Sequence, residues 1–165
     1  LITTDAFSDA WEPCSSWGAG SACDSYATIY LDGDPSDNTF DSGDHGFDML
    51  LEEVTQYVNS LATGYAFHNE MSGSVSERDG ILTFFWYLTR YLRMARLDYP
   101  QAYQLLSGDS CWRELILSIW GRGWYYLNLT EGLPQLGIED DLLYELATTP
   151  VLLEEIQRLR NAAGC

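Results

Sequence analysis

The chain has 165 residues, which is enough for one domain with a buried core and short for two. Hydrophobic residues make up 46% and aromatic residues 14%, which excludes a disordered or low-complexity protein. A formal net charge of −17 disfavours nucleic acid and anionic membrane surfaces as partners, because like charges repel. No apolar run approaches the ~20 residues that span a bilayer, so we expect no membrane insertion.

The amino-terminal third differs in charge from the rest of the chain. Residues 1–53 contain 12 acidic and no basic residues, whereas residues 54–165 contain 13 acidic residues and all eight arginines. We therefore predict a single domain over residues 1–165, with an acidic, loop-rich arm over 1–47 and a helical bundle over 48–165. Within the arm, alternating β-favouring residues predict one short strand over 26–31.

The arm ends in a loop crowded with carboxylates, since six of the 17 residues from Asp32 to Asp48 are Asp. Ca²⁺ binds several hard oxygen ligands and would hold such a loop together. Residues 41–52 keep part of an EF-hand register, but Gly43 and His45 occupy positions where ligands belong. A solvated acidic loop is the other interpretation. The candidate Ca²⁺ ligands are Asp32, Asp34, Asp37, Asp41, Asp44 and Glu52.

Apolar residues at helical spacing predict an all-α protein, a compact bundle of about five helices. Helix starts and stops are indicated by a capping box over 76–79 and by prolines at 100 and 150. The third helix is apolar nearly all round, so we expect it to be central and buried. The predicted helices cover residues 48–64, 77–98, 109–127, 139–148 and 150–163, with a short helical piece at 101–106.

One side of the second predicted helix carries a row of arginines. Arginine, tryptophan and methionine are enriched in protein interfaces, and a basic face would attract the acidic arm. We therefore predict that the arm of the same chain or of a neighbouring copy docks on this face. The predicted interface residues are Trp86, Arg90, Arg93, Met94, Arg96 and Leu97.

The cysteine content points to an oxidising compartment. An even number of cysteines, in a chain that begins with Leu, favours an exported protein whose signal peptide was removed. We predict disulfides between Cys14 and Cys23 and between Cys111 and Cys165, and an extracellular or periplasmic location. Four buried free thiols in a cytosolic protein are the alternative.

The two histidines suggest a second kind of site. His45, His68 and Glu70 would form an open two-histidine, one-carboxylate site for a transition metal. The sequence lacks HExxH, GxSxG and GxGxxG motifs, so no known catalytic signature supports this hypothesis. The alternative is a surface histidine and a helix-end histidine.

These features favour a binding protein over an enzyme. We expect an exported helical protein that binds protein partners or assembles with itself, as a homo-oligomer or as a subunit of a larger extracellular complex. A secreted metal-dependent hydrolase using His45, His68 and Glu70 is the alternative function.

Overall fold

The computed structural model describes residues 46–137 and 140–164, of which 85% are helical. These residues form six α-helices and no strands, which confirms the predicted all-α class. The chain divides into two units, residues 1–52 and 53–165, and the contacts described below lie within the second. The predicted arm and its strand lie outside the described residues, so they stay predictions.

The helices follow one another closely along the chain, and the predicted bounds agree with them to within two residues. The short piece predicted at 101–106 is a full helix, which raises the number to six among the described residues. Single-turn 3-10 helices span His68–Glu70 and Pro134–Leu136. The six helices are α1 Gly46–Ala66, α2 Glu77–Asp98, α3 Pro100–Gly108, α4 Ser110–Leu129, α5 Asp140–Ala147 and α6 Pro150–Ala163.

Side-chain capping explains the start of α4 but not that of α2. The Asp109 carboxylate accepts hydrogen bonds from the backbone N–H groups of Cys111 and Trp112, at 2.8 and 3.2 Å. At α2, Ser76 makes no side-chain capping bond, and its carbonyl accepts the first helical bond from Gly80 at 2.9 Å. The predicted capping box therefore located the start of α2 correctly, although the side chain of Ser76 does not cap the helix.

Helix α2 is the buried centre of the described fold. Every residue from Arg78 to Thr89 is buried, and the helix contacts α3, α4, α5 and α6. By contrast, α4 buries one side only, through Ile116, Ile119, Trp120, Gly123 and Leu127. The prediction that the third helix, α4, is central and buried is therefore wrong. One reason lies in charge: α2 carries no charge from Gly80 to Thr89, whereas Arg122 divides the apolar part of α4 into two shorter uncharged runs.

Two glycines set the spacing of α2 from its neighbours. A Cβ atom at Gly80 would collide with the ring of Tyr57 on α1, and one at Gly123 on α4 would collide with the ring of Phe85. Phe85 in turn stacks on Trp120, with ring centroids 4.4 Å apart. These helices pack at distances that only glycine permits.

The helices are amphipathic or interrupted rather than uniformly apolar. Among the described helices, none combines the length and apolarity needed to cross a membrane.

Candidate interaction surface

A partly buried ion pair joins α6 to α2. The side chain of Glu155 on α6 is completely buried, and Arg96 of α2 donates hydrogen bonds to it from Nε and Nη2. The Nη2–Oε1 distance is 2.7 Å and the Nε–Oε2 distance is 2.9 Å. Arg93 and Arg158 lie farther away, at 4.0 and 3.8 Å. Because a carboxylate removed from water needs charged partners and hydrogen bonds, this pair holds α6 against α2.

The ion pair also fixes the charge states around it. The hydrogen bonds that Arg96 donates to Glu155 raise the pKa of Arg96, against the opposing effect of burial. On α3, burial and then the charge of Glu155 raise the pKa of Tyr103, while Arg96 acts in the opposite direction. Both shifts lead away from neutral pH, so Arg96 stays charged and Tyr103 stays neutral under physiological conditions. The ion pair of Arg96 and Glu155 therefore has a structural role: it connects α2 to α6.

The predicted arginine face is only partly a surface. Trp86 is buried, with 1% of its area exposed, so its predicted place on an outward face is wrong. The guanidinium of Arg90 lies over the Trp86 ring at 5.3 Å. Met94 is half-buried, and Leu97 is 54% exposed.

The acidic group that the structure places on this face belongs to α6. Arg93 and Arg96 both face Glu155. The arm that we predicted as their partner lies outside the described residues, so its docking stays a prediction. Sequence spacing does not indicate that Glu155 is the partner of Arg96, because the two residues are 59 positions apart.

The predicted metal ligands are brought together nowhere in the described part of the chain. Within residues 46–137 and 140–164, no three His, Cys, Asp or Glu side chains form a group that could hold an ion. Glu52 and Glu70 are exposed, and Nδ1 of His68 donates a hydrogen bond to the carbonyl of Tyr65 at 2.6 Å. The His68 ring also stacks on that of Tyr65. The remaining candidates lie outside the described residues: Asp32, Asp34, Asp37, Asp41, Asp44 and His45.

One of the four cysteines is described. Cys111 carries a free thiol and is exposed on the first turn of α4. Cys14, Cys23 and Cys165 lie outside the described residues, so the Cys14–Cys23 disulfide stays a prediction. The predicted Cys111–Cys165 disulfide is not shown, since the thiol of Cys111 is free in this structure.

Sequence reasoning missed the outer face of α4. Leu115, Tyr125 and Leu129 are 46%, 62% and 39% exposed; Tyr125 and Leu129 lie on the side of the helix away from its packed residues, and Leu115 lies at the border between the two sides. Polar residues that interrupt the apolar pattern of α4 were the available signal, because they recur at a spacing of four. We define the outer face by its exposed residues Cys111, Glu114, Leu115, Ser118, Gly121, Arg122, Tyr125 and Leu129.

The outer face of α4 carries balanced charge and has open space at one of its positions. Glu114 and Arg122 are its charged residues, so it is locally neutral in a chain with a net charge of −17. A Cβ atom at Gly121 would meet nothing within 4 Å, which leaves an open place on the helix surface. Exposed tyrosine and leucine on a neutral helix face are typical of a protein-binding surface.

Comparison with known proteins found no protein-family model that matches the chain, no similar curated protein and no similar solved structure. The function therefore has to be argued from the side chains themselves. Of the surfaces described above, the outer face of α4 combines exposed apolar area with balanced charge.

Proposed function

We propose that this chain is an assembly protein whose copies associate through the outer face of α4. The observation that carries the proposal is the exposure of Leu115, Tyr125 and Leu129 on a helix that is packed on one side only. Burying apolar area between two copies removes it from water, which is the main favourable contribution to most protein associations.

Charge also favours this face for self-association. Two copies with a net charge of −17 repel each other over most of their surfaces. At physiological ionic strength the screening length is about 8 Å, so the charges nearest the contact dominate. The outer face of α4 brings one carboxylate, Glu114, and one guanidinium, Arg122, to that contact.

Other exposed apolar residues lack this setting. Leu105 on α3 is 77% exposed, more than Leu115, Tyr125 or Leu129 of the α4 face. However, its exposed neighbours on α3 are Gln101, Ala102, Gln104 and Gly108, so no other large apolar side chain of α3 is exposed beside it. Single exposed apolar residues are normal in monomeric proteins. Leu105 therefore serves as a control rather than as a second interface.

The test is the mass of the full chain in solution as its concentration rises. Sedimentation velocity should show the wild type rising above the monomer mass of 18.6 kDa. A Leu115→Ser, Tyr125→Ser double variant should stay at that mass, because it removes apolar area from the face. Leu105→Ser should associate as the wild type does. A wild type that stays monomeric, or a double variant that associates normally, would refute the proposal.

The sequence supports two further proposals about this assembly protein. We propose that it is exported, with disulfides Cys14–Cys23 and Cys111–Cys165, and that its acidic loop binds Ca²⁺. Peptide mapping without reduction should recover the two linked pairs, and four alkylated thiols would exclude them. Calorimetric titration with Ca²⁺ should give heat that an Asp34→Asn, Asp37→Asn variant loses. The absence of heat in the wild type would exclude the Ca²⁺ site.

A further inference from the structure

We propose that two copies of α4 cross antiparallel at Ser118, with Glu114 of each copy paired to Arg122 of the other. This inference rests on the self-association proposed above and specifies its geometry. It starts from three exposed residues, Glu114, Ser118 and Arg122, which follow one another at a spacing of four. Residues at this spacing form one continuous row along a helix surface.

The row is complementary to itself when it is reversed. It has an acid at one end, a base at the other and a small residue in the middle. Turning a second copy by half a turn about an axis through Ser118 places Glu114 opposite Arg122 twice. A parallel arrangement would instead bring Glu114 to Glu114 and Arg122 to Arg122, which is repulsive. The charges therefore select the antiparallel pairing.

Ordinary helix packing produces the required crossing. Rows at a spacing of four run at about 26° to the helix axis, so two such rows laid along each other cross their helices at about 50°. This is the commonest class of helix packing in globular proteins. The outer face of α4 can therefore align its charged row without any distortion of the helix.

The residues beside the crossing point suit a close approach. Gly121 lies on one side of the row, where a Cβ atom would meet nothing within 4 Å. Leu115 lies on the other side and is 46% exposed. With Ser118 and Gly121 at the contact, the two backbones can approach closely, and Leu115 packs against Leu115 of the second copy. Glycine is otherwise unfavourable in an exposed helix interior, so this contact gives Gly121 a role.

Arg122 is oriented for this pairing and keeps donors for it. Its Nη2 donates to Oδ1 of Asn59 on α1 at 3.0 Å, at an exposed position. A guanidinium carries several N–H donors in a fixed plane, so the remaining ones can reach Glu114 of the second copy. The bond to Asn59 holds the Arg122 side chain at the edge of the outer face.

Charge reversal tests the geometry in the full chain at physiological ionic strength. Glu114→Arg and Arg122→Glu should each raise the dissociation constant about tenfold, because each puts two like-charge pairs in contact. The double reversal should restore the dissociation constant to within about threefold of the wild type, since opposite charges again meet. Asn59→Ala removes only the bond within the chain that orients Arg122, so it should weaken association less than either charge reversal does. Sedimentation equilibrium measures all four variants.

The outcomes separate this inference from the proposed function. If both single reversals associate like the wild type while Leu115→Ser, Tyr125→Ser does not, self-association stands and the antiparallel pairing is wrong. If the double reversal fails to recover, the pairing of Glu114 with Arg122 is also wrong. A wild type that stays monomeric would refute both proposals. Because the changed residues are exposed, thermal melts at low protein concentration, where copies are apart, should be unchanged in every variant.

Discussion

At the scale of single residues, the buried carboxylate of Glu155 dominates the described electrostatics. It lies next to Glu154 in the chain, yet the side chain of Glu154 is 62% exposed and meets Arg158 at 3.6 Å on the same helix. Exposed ion pairs contribute little to stability, whereas breaking a buried one leaves a charge without compensation. The two neighbours therefore make a matched pair for measurement.

We expect Glu155→Gln to lower the free energy of unfolding by about 2 kcal/mol, because the half-buried Arg96 loses a charged partner that accepts its hydrogen bonds. Glu154→Gln should change it by less than about 0.5 kcal/mol. Urea denaturation of both variants near neutral pH provides the comparison. Equal effects of the two changes would show that the Glu155–Arg96 pair does not hold α6 in place.

Two half-buried tyrosines, Tyr91 and Tyr103, predict how stability depends on alkaline pH. Burial raises the pKa of Tyr91 and of Tyr103 above the ordinary value of 10.0. Above pH 10 the unfolded chain therefore loses these protons while the folded chain keeps them. The unfolded state then binds fewer protons, so the free energy of unfolding falls as pH rises.

A Tyr91→Phe, Tyr103→Phe variant should make this alkaline fall shallower, since phenylalanine has no proton to lose. Denaturation with urea at a series of pH values from 8 to 11 would measure the slope (about three units of pH spanning the ordinary tyrosine pKa). The same slope in the variant and the wild type would contradict the role of these two residues.

At the scale of helices, sequence patterns located the elements better than they located the core. Pro100 and Pro150 stand at the first positions of α3 and α6, where proline fits. The sequence predicted the start of α6 at Pro150, whereas Pro100 indicated only the end of α2 and the next helical piece was predicted from residue 101. Burial was harder, because apolar residues surround both α2 and α4. Which of the two becomes central depends on what packs against it, and that information is not local to either helix.

The two glycines of α4 separate its packed side from its outer side. Gly123→Ala should lower the free energy of unfolding by about 1–3 kcal/mol, because the added methyl group meets the buried ring of Phe85. Gly121→Ala should raise it by about 1 kcal/mol, because the site is open and alanine favours helix. Thermal and urea unfolding at low protein concentration, where copies are apart, would measure both. Similar effects at the two positions would contradict the orientation assigned to α4.

At the scale of the whole molecule, the fold class followed from sequence but the candidate site did not. The predicted arginine face is not an open surface, because Trp86 is buried and Arg96 is paired with Glu155. No sequence spacing reveals a partner on another helix, because folding alone brings it near. The outer face of α4 is defined by which residues of that helix pack against other helices, and sequence spacing does not specify that packing.

If copies meet at Ser118 of α4, as proposed above, a disulfide between two cysteines placed at residue 118 can link them. Ser118→Cys would lie on the twofold axis, where the two Cα atoms can come within the ~4.4–6.8 Å that a disulfide requires. Ser74→Cys is the control, since Ser74 is also exposed but lies before α2 and is not part of the α4 face.

Both variants are oxidised mildly and mapped by mass spectrometry without reduction, so that links through the native cysteines are distinguished. We expect covalent dimers joined at residue 118 for Ser118→Cys and no such link at residue 74 for the control. Equally scarce cross-links at residues 118 and 74 would contradict the proposed crossing at Ser118.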